Sequence, residues 1–212
     1  MKRIDTRVIV GLALIAAGVL FLLQTFEIIP SDIPLIWVGA FGIGGLIFLY
    51  VAVVDRENWW ALIPGCTLLG MSGAIALSAA LPELGGNYAA AFFMGMIGLS
   101  FWLIYLVSRG AYWWAVIPGG AVCSVAAMIA LEPFIGAGAA GVLLWGIAAT
   151  FVLLYFLPTS EGRMTWALIP AGVLTLVGLL IAAAATAVLR YVWPAVLIVV
   201  GLYLLWLSSR RK

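Results

Sequence analysis

The fold of this chain is decided by uncharged apolar runs, and residues 113–131 are the clearest of them: WWAVIPGGAVCSVAAMIAL. The run is close to the length of about 20 residues that an α-helix needs to cross a hydrocarbon core about 30 Å thick. A membrane β-strand would instead alternate polar and apolar residues over about ten positions, and this run does not. It therefore predicts a transmembrane α-helix.

Seven more runs of this kind occur along the chain, separated by prolines and charged residues. The eight predicted spans are 8–26, 34–54, 60–81, 88–107, 113–131, 139–157, 165–187 and 191–208. The whole chain is 67% hydrophobic and 8% charged, whereas soluble domains are about 25% charged. We predict an all-α, polytopic integral membrane protein with residues 1–212 as one membrane domain. The first run has no small-x-small cleavage site after it, so it predicts a retained span rather than a signal peptide.

Lysine and arginine fall mainly on one side of the predicted membrane. With the N-terminus inside, the cytosolic segments hold all but one of the 10 basic residues, and only Arg190 falls outside. The inner basic residues are Lys2, Arg3, Arg7, Arg56, Arg109, Arg163, Arg210, Arg211 and Lys212. Because short positively charged loops stay in the cytosol, the sequence predicts that both termini are cytosolic.

The beginning of residues 113–131 is repeated elsewhere in the chain. WWALIPG at 59–65, WWAVIPG at 113–119 and TWALIPA at 165–171 place their prolines 54 and then 52 residues apart. Gly11 lies 54 residues before Gly65, in a first copy without the tryptophans and the proline. This periodicity predicts four two-span units, approximately 1–54, 55–108, 109–160 and 161–212. Each unit begins and ends inside, so the units are predicted to run parallel.

The repeated element supplies the candidate contact residues for a partner or for lipid. They are Trp59, Trp60, Pro64, Trp113, Trp114, Pro118, Trp166 and Pro170. One interpretation is structural, because tryptophans anchor spans at the membrane interface and a proline in the first turns causes at most a mild kink. The other is that three kinked corners line a cytosol-facing groove that receives a lipid or a partner helix.

Residues that carry chemistry are scarce in this chain. There is no histidine, which excludes His-ligated haem and His-bound zinc. Cys66 and Cys123 lie in apolar runs and are interpreted as small buried hydrophobes, with a redox or metal pair as the alternative. Glu83 and Glu132 are interpreted as solvated turn residues, the alternative being contact with a cation or a partner. We expect no catalytic, cofactor-binding or metal-binding residue, no enzyme activity and no nucleic-acid partner.

Polar side chains within the spans are mostly small hydroxyls, and no charged residue lies near the middle of a span. An ionisable group at that depth is the usual mark of ion or proton coupling, so the sequence argues against a pump or proton-coupled transporter. The hydroxyls are Thr67, Ser72, Ser78, Ser100, Ser124, Thr150, Thr175 and Thr186. We predict that they bond to carbonyls one turn back and help helices pack, rather than lining a permeation path.

Two stretches resemble a small bacterial transmembrane hairpin found in envelope-stress membrane proteins of the LiaF and LiaI type. The first is Gly11-Leu12-Ala13-Leu14-Ile15-Ala16-Ala17-Gly18 with the short outer loop and Trp-rich return that follow it. The second is residues 193–205, WPAVLIVVGLYLL, which resembles the second helix of that hairpin. The resemblance implies a bacterial cytoplasmic-membrane protein, and it implies no activity.

Three functions are compatible with this sequence. The leading hypothesis is a non-enzymatic membrane module, a scaffold, accessory subunit or sensor that acts through helix–helix or lipid contacts. Its partners would be the lipid bilayer and a membrane protein, or a second copy of the chain in a homo-oligomer. The alternative is a transporter or channel for a small neutral or lipophilic solute, and an integral membrane enzyme ranks third.

Overall fold

The computed structural model describes residues 34–157 and 162–185, together with single positions 15, 18, 19, 22, 26 and 198. The predicted spans 8–26 and 191–208 lie, apart from those positions, outside the described residues. No strand occurs in the two described ranges. The all-helical class predicted from the sequence is confirmed.

Six α-helices occur in the described part of the chain. They are α1 (Pro34–Val54), α2 (Leu62–Ala80), α3 (Gly85–Val107), α4 (Val116–Ile135), α5 (Ala139–Phe156) and α6 (Leu168–Ala185). Five helical stretches here are long and apolar enough to cross a membrane: Pro34–Val54, Arg56–Ala80, Gly86–Val107, Trp113–Phe156 and Thr165–Ala184. The fourth is 44 residues long because it contains both α4 and α5.

Helix α4 runs further than the sequence suggested. The turn predicted at Glu132-Pro133 is instead helical, and α4 continues through Pro133 to Ile135. The helix ends where Gly136 adopts φ 52°, with its N–H bonded to the carbonyl of Glu132. A positive φ is readily adopted only by glycine, so Gly136 and not Pro133 ends the helix. Glu132 is a helical residue whose carboxylate accepts a hydrogen bond from Asn87 Nδ2 at 2.9 Å.

Consecutive helices pack antiparallel along the described chain, and extensive helix–helix packing there is confined to consecutive helices. A glycine faces the neighbouring helix at each of these contacts: Gly45 faces Gly65, Gly70 faces Phe93, Gly98 faces Gly119, Gly120 faces Thr150, and Gly141 faces Gly178. Small residues at these contacts let the helices approach closely. Membrane helices commonly pack in this way, because in lipid the hydrophobic effect does not drive helices together. The described helices therefore form an open row and not a closed bundle.

Helices α4 and α5 show the tightest of these contacts. Gly120 faces Thr150, and Ser124 faces Gly146, so that each small residue receives the larger side chain of the opposite helix. Ser124 Oγ donates to the Gly120 carbonyl at 2.7 Å, and Thr150 Oγ1 donates to the Gly146 carbonyl at 2.9 Å. Both hydroxyls thus have their hydrogen-bond acceptor within their own helix, while the Ser124 and Thr150 side chains fill the space above the facing glycines.

The predicted hydrogen bonds to the preceding turn also form at Thr67, Ser100 and Thr175, with distances of 2.6–2.8 Å. Ser72 is different, because its hydroxyl donates to the Val38 carbonyl of α1 at 2.7 Å. This bond joins two helices, and the prediction of a bond one turn back is wrong for Ser72. The physical reason is the close approach of α1, since Gly42 lies directly opposite Ser72.

The antiparallel order brings Arg56, Arg109 and Arg163 to one end of the row, which we call the arginine end. The buried apolar side chains are concentrated there in two clusters. The first cluster is Ala52, Ala61, Leu62, Ile104, Tyr105, Ala115 and Val116, and the second is Leu154, Met164 and Ala167. The arginine end is therefore the best packed part of the described chain.

Candidate functional site

The three copies of the repeated element have the same local structure. Each forms a short 3-10 segment, namely Arg56–Ala61, Trp113–Ala115 and Thr165–Ala167, and each passes directly into an α-helix. We call these segments the first, second and third corners. The proline lies at the third position of each α-helix, where few backbone N–H groups have helical partners. The proline of each copy thus lies two residues beyond a junction between a 3-10 segment and an α-helix.

The missing proline N–H accounts for the junction. In a continuous α-helix the carbonyl of Trp114 would accept from the N–H of residue 118, and Pro118 has none. The N–H of Val116 is directed instead at the carbonyls of Trp113 and Trp114. The corresponding N–H of Leu62 is directed at Trp59 and Trp60 in the same way. Proline four residues after a tryptophan is thus the signal for a 3-10 start.

The alanine of each corner is completely buried. Ala61, Ala115 and Ala167 all have 0% exposure. A larger side chain has no room at these positions, because the alanines lie inside the two apolar clusters of the arginine end. The corners are consequently structural joints as well as candidate contact sites.

The first tryptophan of a pair connects one corner to the next. Trp59 packs on Tyr112 and Trp114, with ring centroids 5.0 and 6.1 Å apart. Trp113 packs against the cluster of Leu154, Met164 and Ala167 around the third corner. We call Trp59 and Trp113 the inner indoles. The third corner has Thr165 at this position.

The second tryptophan of each corner keeps a free face. Trp60, Trp114 and Trp166 are 50%, 37% and 48% exposed, and we call them the outer indoles. Trp60 makes an edge contact with Phe48 of α1, and Trp166 makes one with Phe151 of α5. Each outer indole is thus held on one side and open on the other.

Pro64, Pro118 and Pro170 are half-buried. All eight residues predicted as contacts lie at the arginine end, but the inner indoles are already occupied by the protein.

Polar groups near the corners serve mainly to hold the connecting segments. Asp55 accepts the Glu57 N–H at 3.0 Å and Asn58 Nδ2 at 3.2 Å, which caps the first corner. The guanidinium of Arg163 lies 5.9 Å from the ring centroid of Tyr155, a cation–π contact. These contacts within the connecting segments therefore help to fix the positions of the corners.

Two apolar clefts, which the sequence did not indicate, flank Trp145. One of about 530 Å³ lies between α3, α4 and α5, and one of about 600 Å³ lies between α5 and α6. The indole lies against Gly178, and its Nε1 donates to the Thr175 carbonyl at 3.3 Å. Trp145 thereby lies between the two clefts, together with Ala149 and Leu153, which also line both. Its position between two clefts could not be predicted, because nothing in an apolar run shows where a cleft will open.

The two cysteines are free thiols on different helices. Cys66 is buried in α2, and Cys123 in α4 is half-buried against Gly98 and lines the 530 Å³ cleft. The described part of the chain has no group of three or more His, Cys, Asp or Glu residues placed to hold a metal ion.

A comparison with known protein families, characterised proteins and solved structures finds no match to this chain.

Proposed function

We propose that this protein is a non-enzymatic membrane module that acts through helix–helix or lipid contacts made by the outer indoles. The proposal rests on a difference between the tryptophans in how far they are buried by the protein. The inner indoles are used to join neighbouring corners, whereas Trp60, Trp114 and Trp166 remain about half exposed at one end of the row. Large rigid aromatic side chains dominate the energetics of interfaces.

The open row supports the same proposal. Helices that pack only on their chain neighbours leave broad side faces, as stacked repeats do in solenoid proteins that bind extended partners. We propose four repeat units in eight spans, with the first unit as a cap that lacks the tryptophans. Three corners with one geometry support the repeat, and the basic loop residues support cytosolic ends in a cytoplasmic membrane.

Replacing all three outer indoles by leucine is expected to weaken association with a partner or bound lipid without unfolding the protein. Leucine keeps the apolar character but removes most of the contact area of each indole. The measurement compares the components that copurify in mild detergent with the wild-type protein and with the triple variant, alongside the thermal stability of both. A triple variant that retains every component at wild-type stoichiometry would show that the outer indoles are interfacial anchors only.

Transport of a small neutral or lipophilic solute is the second candidate, and the two clefts beside Trp145 favour it. They are large enough for such a solute, and the α5 side chains Trp145, Ala149 and Leu153 line both of them. Trp145→Ala would remove the largest side chain that lies between them, so a transporter should show altered solute flux in proteoliposomes. The scaffold proposal predicts no flux in either protein.

The loop at Ser108–Gly110 is expected to face the cytosol. Cysteine at Arg109, with Cys66 and Cys123 replaced by alanine, should be labelled by an impermeant maleimide only after the cells are opened. A cysteine at Glu83, on the opposite end of the row, is the matched control and should be labelled in intact cells. Ready labelling of position 109 in intact cells would refute the orientation.

A further inference from the structure

A cleft at the arginine end is lined by apolar side chains and by one positively charged residue. It has a volume of about 370 Å³ and lies between the end of α1, the start of α2 and the end of α3. Its apolar lining is Ala52, Val53, Leu62, Leu103, Leu106 and Val107, and its one charged lining residue is Arg56. Val53 and Leu106 are 78% and 55% exposed, so the cleft opens sideways, where acyl chains would lie.

No described carboxylate neutralises the charge of Arg56. Within the described residues Arg56 forms no ion pair, although acidic residues precede and follow it. Asp55 is held by the Glu57 N–H and by Asn58 Nδ2, and both of its carboxylate oxygens are used in that cap. Arg56 therefore lines an apolar cleft and carries a charge that is available to an external anion.

The equivalent arginines of the next two connections differ in their surroundings. Arg109 and Arg163 follow Arg56 at intervals of 53 and 54 residues. Arg163 lies over the Tyr155 ring, and neither residue lines a cleft described for this end of the row. Arg56 alone among these three arginines combines a free charge with an apolar cleft.

We propose that this cleft binds an anionic phospholipid, with an acyl chain in the cleft and the phosphate at the Arg56 guanidinium. Charge complementarity selects the anion, because a guanidinium binds phosphate through two parallel hydrogen bonds. Basic sites between transmembrane helices commonly recognise lipid headgroups in this manner. The proposal does not depend on the outer indoles, so it can hold whether or not they bind a partner.

The test is a titration of the detergent-solubilised protein with phosphatidylglycerol, with phosphatidylcholine as the neutral control and melting temperature as the readout. Saturating phosphatidylglycerol should raise the melting temperature by about 5 °C, as expected for a ligand at about 100 times its dissociation constant. Phosphatidylcholine should have less effect. Arg56→Ala should weaken the apparent affinity for phosphatidylglycerol about tenfold. Arg109→Ala, which removes the same charge from the same end, should change it less than about twofold because it makes no direct contact.

Filling the cleft separates site binding from general attraction. Val53→Trp and Leu106→Trp keep every charge and change exposed positions, and each should reduce phosphatidylglycerol binding as strongly as Arg56→Ala. Equal losses in Arg56→Ala and Arg109→Ala would show surface attraction only and would overturn the proposal. Unchanged binding in both tryptophan variants would also overturn it, because the acyl chain would then not occupy the cleft.

Discussion

Gly120→Ala is expected to lower the melting temperature by about 10 °C, which corresponds to a loss of about 3 kcal/mol from overpacking. A Cβ at position 120 would overlap Thr150 Oγ1 and lie 2.7 Å from Thr150 Cβ. Neither group can move away easily, because Thr150 Oγ1 is bonded to the Gly146 carbonyl and Gly146 is itself pressed against Ser124. The whole α4–α5 contact would have to open. Thermal unfolding in detergent, followed by circular dichroism, measures the change.

Two further variants show whether the clash is the cause. Gly172→Ala is the matched control, since it makes the same change in α6 at a site with no heavy atom within 4 Å of the new Cβ. Its melting temperature should stay near the wild-type value. Combining Gly120→Ala with Thr150→Gly removes the overlap, so the double variant should lose less than the sum of the single losses. Additive losses would contradict the proposed interlock.

Trp113→Ala is expected to destabilise the protein by about 3 kcal/mol, at the lower end of the range for removing a large packed aromatic. Trp113 joins the second corner to the buried cluster of Leu154, Met164 and Ala167. Its loss leaves a cavity between two corners that the surrounding helices cannot readily fill. The free energy or midpoint of unfolding in detergent is the measurement.

Trp114→Ala is the matched comparison, because it removes the same side chain from the adjacent residue. Trp114 is 37% exposed and touches Trp59 by an edge contact. We expect a loss of no more than about 1 kcal/mol, together with weaker partner or lipid association. A larger loss of stability for Trp114→Ala than for Trp113→Ala would reverse the assignment of inner and outer indoles.

The sequence was sufficient to place the helices of the described ranges, because the apolar runs there are bounded by residues that lipid does not accept. Predicted spans 34–54 and 139–157 differ from α1 and α5 by at most one residue at an end. Span 113–131 was predicted to stop too early. The positive φ of Gly136 that ends α4 is a property of the folded backbone and has no separate signal in a run rich in glycine.

The packing faces could not be predicted from the sequence. These helices are apolar on all sides, so no stripe of hydrophobic residues distinguishes a protein-facing side from a lipid-facing side. The sequence marked both tryptophans of each pair but could not separate Trp59 from Trp60, which are adjacent and identical in type. The direction of the chain at each corner decides which indole packs on the next corner and which one stays exposed. The Arg56 cleft was likewise not foreseeable, because it depends on how α1, α2 and α3 come together.

The open row of described helices is tested most directly by a distance across the row. Spin labels at Ile47 of α1 and Val173 of α6, both exposed and both in the arginine half of their helices, would be measured by pulsed electron resonance in nanodiscs. Neighbouring helix axes lie about 8–10 Å apart, and five such steps separate these helices, so the row predicts a distance above about 25 Å. A principal distance below about 20 Å would mean that the helices close into a bundle and would contradict the account.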